Sequence, residues 1–332
     1  MGSERLWVEE VGLGFLFVLA FANGANDVGK SVASLLHIGP AGLTGRRPLV
    51  WGGFFSGLGS VAAVLVSTRL FSTFTPQKII LTPIDSSFVL AVLLAAAVWV
   101  FAATMARVPV STTHAILGAI VLQGIFLFGI SSLAWSFLAV RVVLPLAGGP
   151  IAALIGVYIV ERLVKFPKMP EESTSKWSRL SHWGSGAAGA FARGVNDAPK
   201  MAVLGAFFLA ANSTEGLWGP YLLVAAAVLF GSLVLGHRVA VTLRRRIFPM
   251  EHGQRVRAGI ATAVLVSAGA YLGVPLSTTH MHEGAAAGAS GLKESIRTAL
   301  RGMVLPWLIT LPAVGLLAVL FATVGPKILA LV

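Results

Sequence analysis

No cysteine occurs anywhere in the 332 residues, which excludes disulfides, thiolate metal sites and cysteine nucleophiles. Charge is scarce as well. Only 11% of residues are Asp, Glu, Lys or Arg, against 56% hydrophobic, whereas soluble domains carry about 25% charge. Acid is the rarer sign, with 13 Asp and Glu beside 25 Lys and Arg, a formal charge of +12. The basic excess does not read as a nucleic-acid surface. It gathers at Arg46-Arg47, at Arg244-Arg245-Arg246 with Arg255 and Arg257, and at Lys293, Arg297 and Arg301, where short loops are expected. Basic short loops orient a membrane protein.

What is abundant is uninterrupted apolar sequence. Blocks fall at 8–38, 49–70, 86–106, 115–130 and 133–160, then at 183–211, 218–236, 258–275, 281–292 and 303–324. Several reach the ~20 residues that cross a bilayer. They are continuously apolar, which disfavours a β-barrel. The 37 glycines, interspersed with Ala and Ser, suit close helix contact in lipid. The fold class is therefore an all-α polytopic membrane protein in a cell membrane. A signal peptide at 11–22 is rejected, because Glu4, Glu9 and Glu10 outnumber Arg5 ahead of it. The long polar stretch from Glu161 to His182, with Pro167 and Pro170, divides a first repeat (1–160) from a second (183–332).

Starting outside and crossing at each block puts Arg46-Arg47, Arg107, the 161–182 linker, 237–257 and Lys293–Arg301 in the cytoplasm, and both termini outside. Five crossings per half, an odd number, make the second repeat run opposite to the first. The block at 281–292 is short for a span and suits half of a re-entrant hairpin.

Two motifs are written twice in the same order. Phe21-Ala-Asn-Gly-Ala-Asn-Asp-Val-Gly-Lys30 returns as Phe191-Ala-Arg-Gly-Val-Asn-Asp-Ala-Pro-Lys200. Val108-Pro-Val-Ser-Thr-Thr-His114 returns as Val274-Pro-Leu-Ser-Thr-Thr-His280. Polar islands in apolar sequence mark substrate and ion paths, and paired interruptions point to a transporter whose site lies between repeats. Helices interrupted at the two Asn-Asp elements are expected, with freed carbonyls joining Asn26, Asp27, Asn196 and Asp197 around a cation. Pro109 and Pro275 should bar regular helix just before Ser111-Thr112 and Ser277-Thr278. Those residues would then open a helix whose free N–H groups and hydroxyls make an anion site.

Other readings are weaker. Gly24–Ser31 matches the P-loop pattern, but the repeats share only Gly-x-Asn-Asp-x-x-Lys, so no ATPase is expected. A hydrolytic Ser111–His114 pair has no residue nearby in sequence to orient the histidine, and duplication would demand two active sites. His114 and His280 are expected as packed side chains or hydrogen-bond donors rather than zinc ligands. No enzyme and no cofactor is expected.

These motifs make the chain resemble, over essentially its whole length, the inorganic phosphate transporter (PiT) family of sodium- or proton-coupled symporters. The resemblance implies inverted repeats, a cytoplasmic central loop, extracellular termini, phosphate moved with cations, and also a homodimer and an elevator-like motion. Its site positions would be Asn26, Asp27, Asn196, Asp197, Ser111, Thr112, Thr113, Ser277, Thr278 and Thr279. Two departures stand out. Arg193 takes a place where many bacterial members have His, and Ser56 one where eukaryotic members tend to carry Glu.

Bare carboxylates cannot touch the anion. Like unit charges ~4 Å apart repel by about 4 kcal/mol at an effective dielectric of ~20. Two sodium sites are therefore expected, one per repeat, from Asn26 and Asp27 or Asn196 and Asp197 with Ser111, Ser277 and neighbouring oxygens; protonated Asp is the alternative. Lys30, Arg193 and Lys200 could attract the anion or snorkel to the interface. Sulfate transport and a passive anion channel are the rival functions.

Overall fold

The computed structural model describes residues 2–39, 42–43, 45–170, 175–209, 214–245, 250–291 and 293–329. Arg246 lies outside these. Among the described residues ten longer helices carry the fold: α1 Gly2–Val32, α2 Arg47–Val66, α3 Ser86–Met105, α4 Thr112–Phe128, α5 Leu144–Leu163, α6 Lys176–Ala206, α7 Thr214–Arg245, α8 His252–Leu272, α9 Thr278–Ser290 and α10 Lys293–Leu329. The expected all-α class holds. Among the described residues five stretches are long and apolar enough to cross a membrane: Glu9–Leu35, Arg47–Val66, Ser86–Met105, Trp135–Leu163 and Gly216–Arg244.

Packing exchanges partners between the halves. Helix α1 lies on α7 while α6 lies on α2, and α4 lies on α10 while α9 lies on α5. Glycine makes the first pair of crossings possible. A Cβ on Gly24 would sit 2.1 Å from Val228 O, and one on Gly231 1.9 Å from Phe21 O. The same relation recurs between α6 and α2, with Gly194 2.0 Å from Ser56 O and Gly59 2.1 Å from Phe191 O. Any side chain would force these backbones apart, so each crossing is a main-chain contact of the kind membrane helices favour.

Of the two kinds of helix interruption expected, the one at the Asn-Asp elements is absent. Both α1 and α6 run unbroken through their Asn-Asp elements, which corrects the expectation of unwound chain there. The physical reason is visible at Pro199. Its missing N–H frees Val195 O, and Ser67 Oγ donates to that carbonyl at 2.9 Å from the start of a short helical turn after α2. A hydroxyl from a neighbouring helix thus supplies what unwinding would otherwise demand.

The real breaks are at the Val-Pro-x-Ser segments. Helix α8 ends on Gly273 in the left-handed conformation (φ 77°), with Pro275 two residues on, a normal helix stop. Helix α3 ends just before Arg107, which holds the same left-handed conformation without being glycine (φ 61°). After each break the chain folds back as a hairpin. Phe88 near the start of α3 stacks on Phe128 at the end of α4, and Ala258 near the start of α8 packs with Ala289 at the end of α9. Helix α9 has 13 residues, about 20 Å at 1.5 Å per residue, and fits the half-hairpin expected of 281–292.

Candidate functional site

The two hairpins bring the N-termini of α4 and α9 together in the interior. Ser111 and Ser277 are the N-caps, and Ser277 Oγ donates to Ser111 Oγ across 3.1 Å. Helix N-termini carry partial positive charge and unfilled N–H donors, so two converging ends favour an anion. The Asn-Asp stretches of α1 and α6 pass beside them.

Five charged side chains are buried here: Asp27, Lys30, Arg193, Asp197 and Lys200, none more than 4% exposed. The bonds follow the repeat. Lys30 Nζ is bonded to Asp27 Oδ1 and donates to Val110 O (2.6 Å) and Thr279 Oγ1 (2.7 Å). Lys200 Nζ contacts Asp197 Oδ1 (3.4 Å) and donates to Leu276 O (2.8 Å) and Thr113 Oγ1 (2.8 Å). Each lysine takes a carboxylate and a carbonyl from its own half and a hydroxyl from the other. Both turn inward, so the snorkelling alternative does not describe them.

Thr112 and Thr278 are matched in the same way. Asn23 Nδ2 donates to Thr112 Oγ1 at 2.9 Å and to Asp27 Oδ2 at 3.0 Å. Arg193, the residue aligned with Asn23, donates to Thr278 Oγ1 at 2.5 Å and to Ser31 Oγ at 3.3 Å. Its guanidinium also stands 3.7 Å from Asp27 Oδ2, in the opposite half. Thr278 Oγ1 in turn lies 3.5 Å from Asp197 Oδ2. His114 and His280 meet edge to face with centroids 5.0 Å apart, as packed rings.

Asn26 and Asn196 do something else. Asn26 Nδ2 donates to Thr104 Oγ1 and Val108 O, each at 3.0 Å, and its Oδ1 accepts from Val110 N. Asn196 Nδ2 donates to Asp197 Oδ1 (2.8 Å) and Leu276 O (3.0 Å). Each clamps the irregular chain ahead of its hairpin's second helix. Both amide groups of Asn26 are hydrogen-bonded, while Asn196 Oδ1 is buried without a hydrogen-bond partner among the described residues. The P-loop-like run of Gly24–Ser31 lies within α1, a helix and not a phosphate-cradling loop.

Asn23, Thr104 and Glu283 are site neighbours that the sequence reading did not nominate. Asn23 could have been found from its alignment with Arg193. Glu283 sits one helical turn beyond Thr279 on α9, the usual i, i+4 spacing on one face. With Arg301 it lines a cavity of about 650 Å³ that reaches Ser111, Thr279 and His280. The cavity runs between the α3–α4 break, α9 and α10, and gives the buried cluster a path outward.

Apolar helices arranged around a buried, charged and hydroxyl-rich cluster define a polytopic membrane transporter. The sequence pattern of the phosphate transporter family matches residues 23–318, and the chain belongs to that family. It is 28% identical over 311 residues to a "Probable low-affinity inorganic phosphate transporter" of Rhizobium meliloti (strain 1021), covering 90% of this chain and 91% of that one. A protein of Mycobacterium leprae (strain TN) with the same description is 29% identical over 315 residues, covering 89% and 72%. Among solved structures, one described as "The sodium-dependent phosphate transporter" superposes with a TM-score of 0.75 over 97% of this chain and 99% of that one. At 21% identity that likeness shows the fold.

Proposed function

We propose that the protein imports inorganic phosphate through this site by cation-coupled symport with alternating access. The convergence of two helix N-termini on three buried cations carries the reading. Phosphate would take the hydroxyls of Ser111, Thr112, Thr113, Ser277, Thr278 and Thr279, with Arg193 as the cation least committed to a carboxylate in its own half. Asn26 and Asn196 would act as positioning residues that hold the hairpin links. Neutral donors and fixed cations together offset the loss of water around a charged ligand.

Inverted repeats of five crossings fit the reciprocal packing of α1 on α7 and α6 on α2. The loop charges support a cytoplasmic 161–182 segment and outward-facing termini. Because the chain lacks cysteine, Lys165→Cys alone would report the side of that segment. Labelling of intact cells by an impermeant maleimide would refute the orientation.

Sodium and the proton are both supported as the coupling ion. Sodium is supported by the description of the structural neighbour and by the many hard oxygens in the cluster. The proton is supported by the lysines already standing against Asp27 and Asp197. Reconstituted protein should exchange trapped for external labelled phosphate, and should accumulate it only under a cation gradient. Flux without exchange would indicate a channel, and equal competition by sulfate a general oxyanion carrier.

A further inference from the structure

The cluster holds two places suited to a small hard cation, and the chain fills both itself. A carboxylate, a main-chain carbonyl and a hydroxyl surround the ammonium of Lys30, from Asp27, Val110 and Thr279. The same three kinds of oxygen surround the ammonium of Lys200, from Asp197, Leu276 and Thr113. Hard cations are bound by such oxygens. An ammonium has three N–H donors, and each lysine directs its three to these three oxygens. Both nitrogens are enclosed by protein, with Lys200 also lying 5.7 Å from the centre of the Phe74 ring. A sodium ion at either carboxylate would have to expel the ammonium or sit beside a like charge.

We infer that Lys30 and Lys200 are tethered cations that replace, one in each half, the sodium ions a carrier of this architecture could hold at Asp27 and Asp197. Binding and energy coupling are thereby separated. A free sodium ion that helps bind the anion also leaves with it, so its gradient drives transport. A lysine lends the same charge to the bound state but stays on the chain. With Arg193 counted, the five buried groups near the hydroxyls carry three positive and two negative charges. That balance suits an anion without further cations at the two carboxylates. Sodium should therefore be neither required nor carried at these positions. This inference rests on the phosphate reading and makes that reading more specific.

The full chain in proteoliposomes, loaded with unlabelled phosphate, is assayed for counterflow of labelled phosphate in choline or sodium buffer. Labelled sodium is followed in parallel. The wild-type rate should differ by less than about twofold between buffers, and no labelled sodium should enter with phosphate. Lys200→Gln strands a buried carboxylate and Lys30→Gln leaves Asp27 only the more distant Arg193, so counterflow in choline should fall by about tenfold or more in each. Sodium should restore part of it. Sodium entry with phosphate in the wild type, or a tenfold sodium requirement, overturns the inference.

A thermal melt of the purified protein in detergent separates this inference from the phosphate reading, because ligand binding to the native state raises its melting temperature. Sodium chloride should leave the wild type where choline chloride does but should raise the melting temperature of Lys30→Gln. A sodium-specific rise in the wild type overturns the tethered-cation assignment even if no phosphate is carried. Absence of counterflow in both buffers, with an unchanged wild-type melt, overturns only the phosphate reading.

Discussion

The two halves of the site repeat their lysine, threonine and serine contacts but differ in charge at one pair of positions. Lys30 and Lys200 hold matching oxygens, Thr112 and Thr278 each accept from a side chain one turn before an Asp, and Ser111 meets Ser277. Asn23 and Arg193 break the match. As a result Asp27 faces two cations, Lys30 and Arg193. Asp197 faces Lys200 with help from Asn196 and Thr278. Duplication built the cage, and a single divergent position set its polarity. The extra positive charge stands on the second half but is shared with the first.

The largest test of that asymmetry is to neutralise the carboxylates one at a time. Asp27→Asn leaves two buried cations without a counter-charge, whereas Asp197→Asn leaves one. Removing one partner of a buried ion pair destabilises by about 3–5 kcal/mol. Asp27→Asn should therefore lower both melting temperature and phosphate uptake more than Asp197→Asn does. Equal losses would show that Arg193 does not serve Asp27. The main-chain crossings come next. Gly194→Ala drives a methyl into Ser56 O, and overpacking of this kind costs about 1–3 kcal/mol, read as a lower melting temperature in detergent. Gly14, on α1, has open space at its Cβ position. Gly14→Ala should leave stability unchanged or raise it, as alanine is the better helix former.

Two smaller changes sharpen the comparison by making the halves alike. Arg193→Asn copies the first half into the second and removes one cation from the cluster. The half-saturating phosphate concentration should rise about tenfold, the effect of ~1.4 kcal/mol. An unchanged value would assign Arg193 to holding Asp27 and Thr278 alone. Arg107→Gly gives the first hairpin the residue that its counterpart Gly273 already has. A left-handed conformation costs a non-glycine residue about 1–2 kcal/mol, so the melting temperature should rise by a few degrees.

The parts of the fold set by repetition were legible in the sequence. Motif order and apolar block lengths pointed to the helices and to the Pro-x-Ser breaks. The unwinding expected at Asn26-Asp27 was misplaced, because a chain pattern does not reveal that Ser67, 128 residues away, will satisfy the carbonyl freed by Pro199. The direction of the lysines was equally hidden. Lys30 sits three residues after Asp27 whether it turns inward or outward, and it is the Val110 carbonyl and the hydroxyl of Thr279, 80 and 249 residues on, that fix it. Asn26 was expected as a ligand from its place in a repeated polar motif, and its amide also bonds Thr104 and the chain around Val110. Long-range hydrogen bonds decided what short-range spacing left open.

The crossing of α1 on α7 has a consequence for how the protein is made. Between Val32, where α1 ends, and Arg245, where α7 ends, synthesis takes roughly 10–40 s at about 5–20 residues per second. Throughout that interval Gly24 has no Val228 carbonyl to rest on, and Asp27 and Lys30 have no Thr279 beneath them. The nascent first half must wait in the bilayer with an exposed glycine groove and a charged pair, shielded by lipid, water or an insertion factor. Gly194, arriving later, meets a partner already on α2. The early half of this chain is therefore the one that most needs chaperoning during biogenesis.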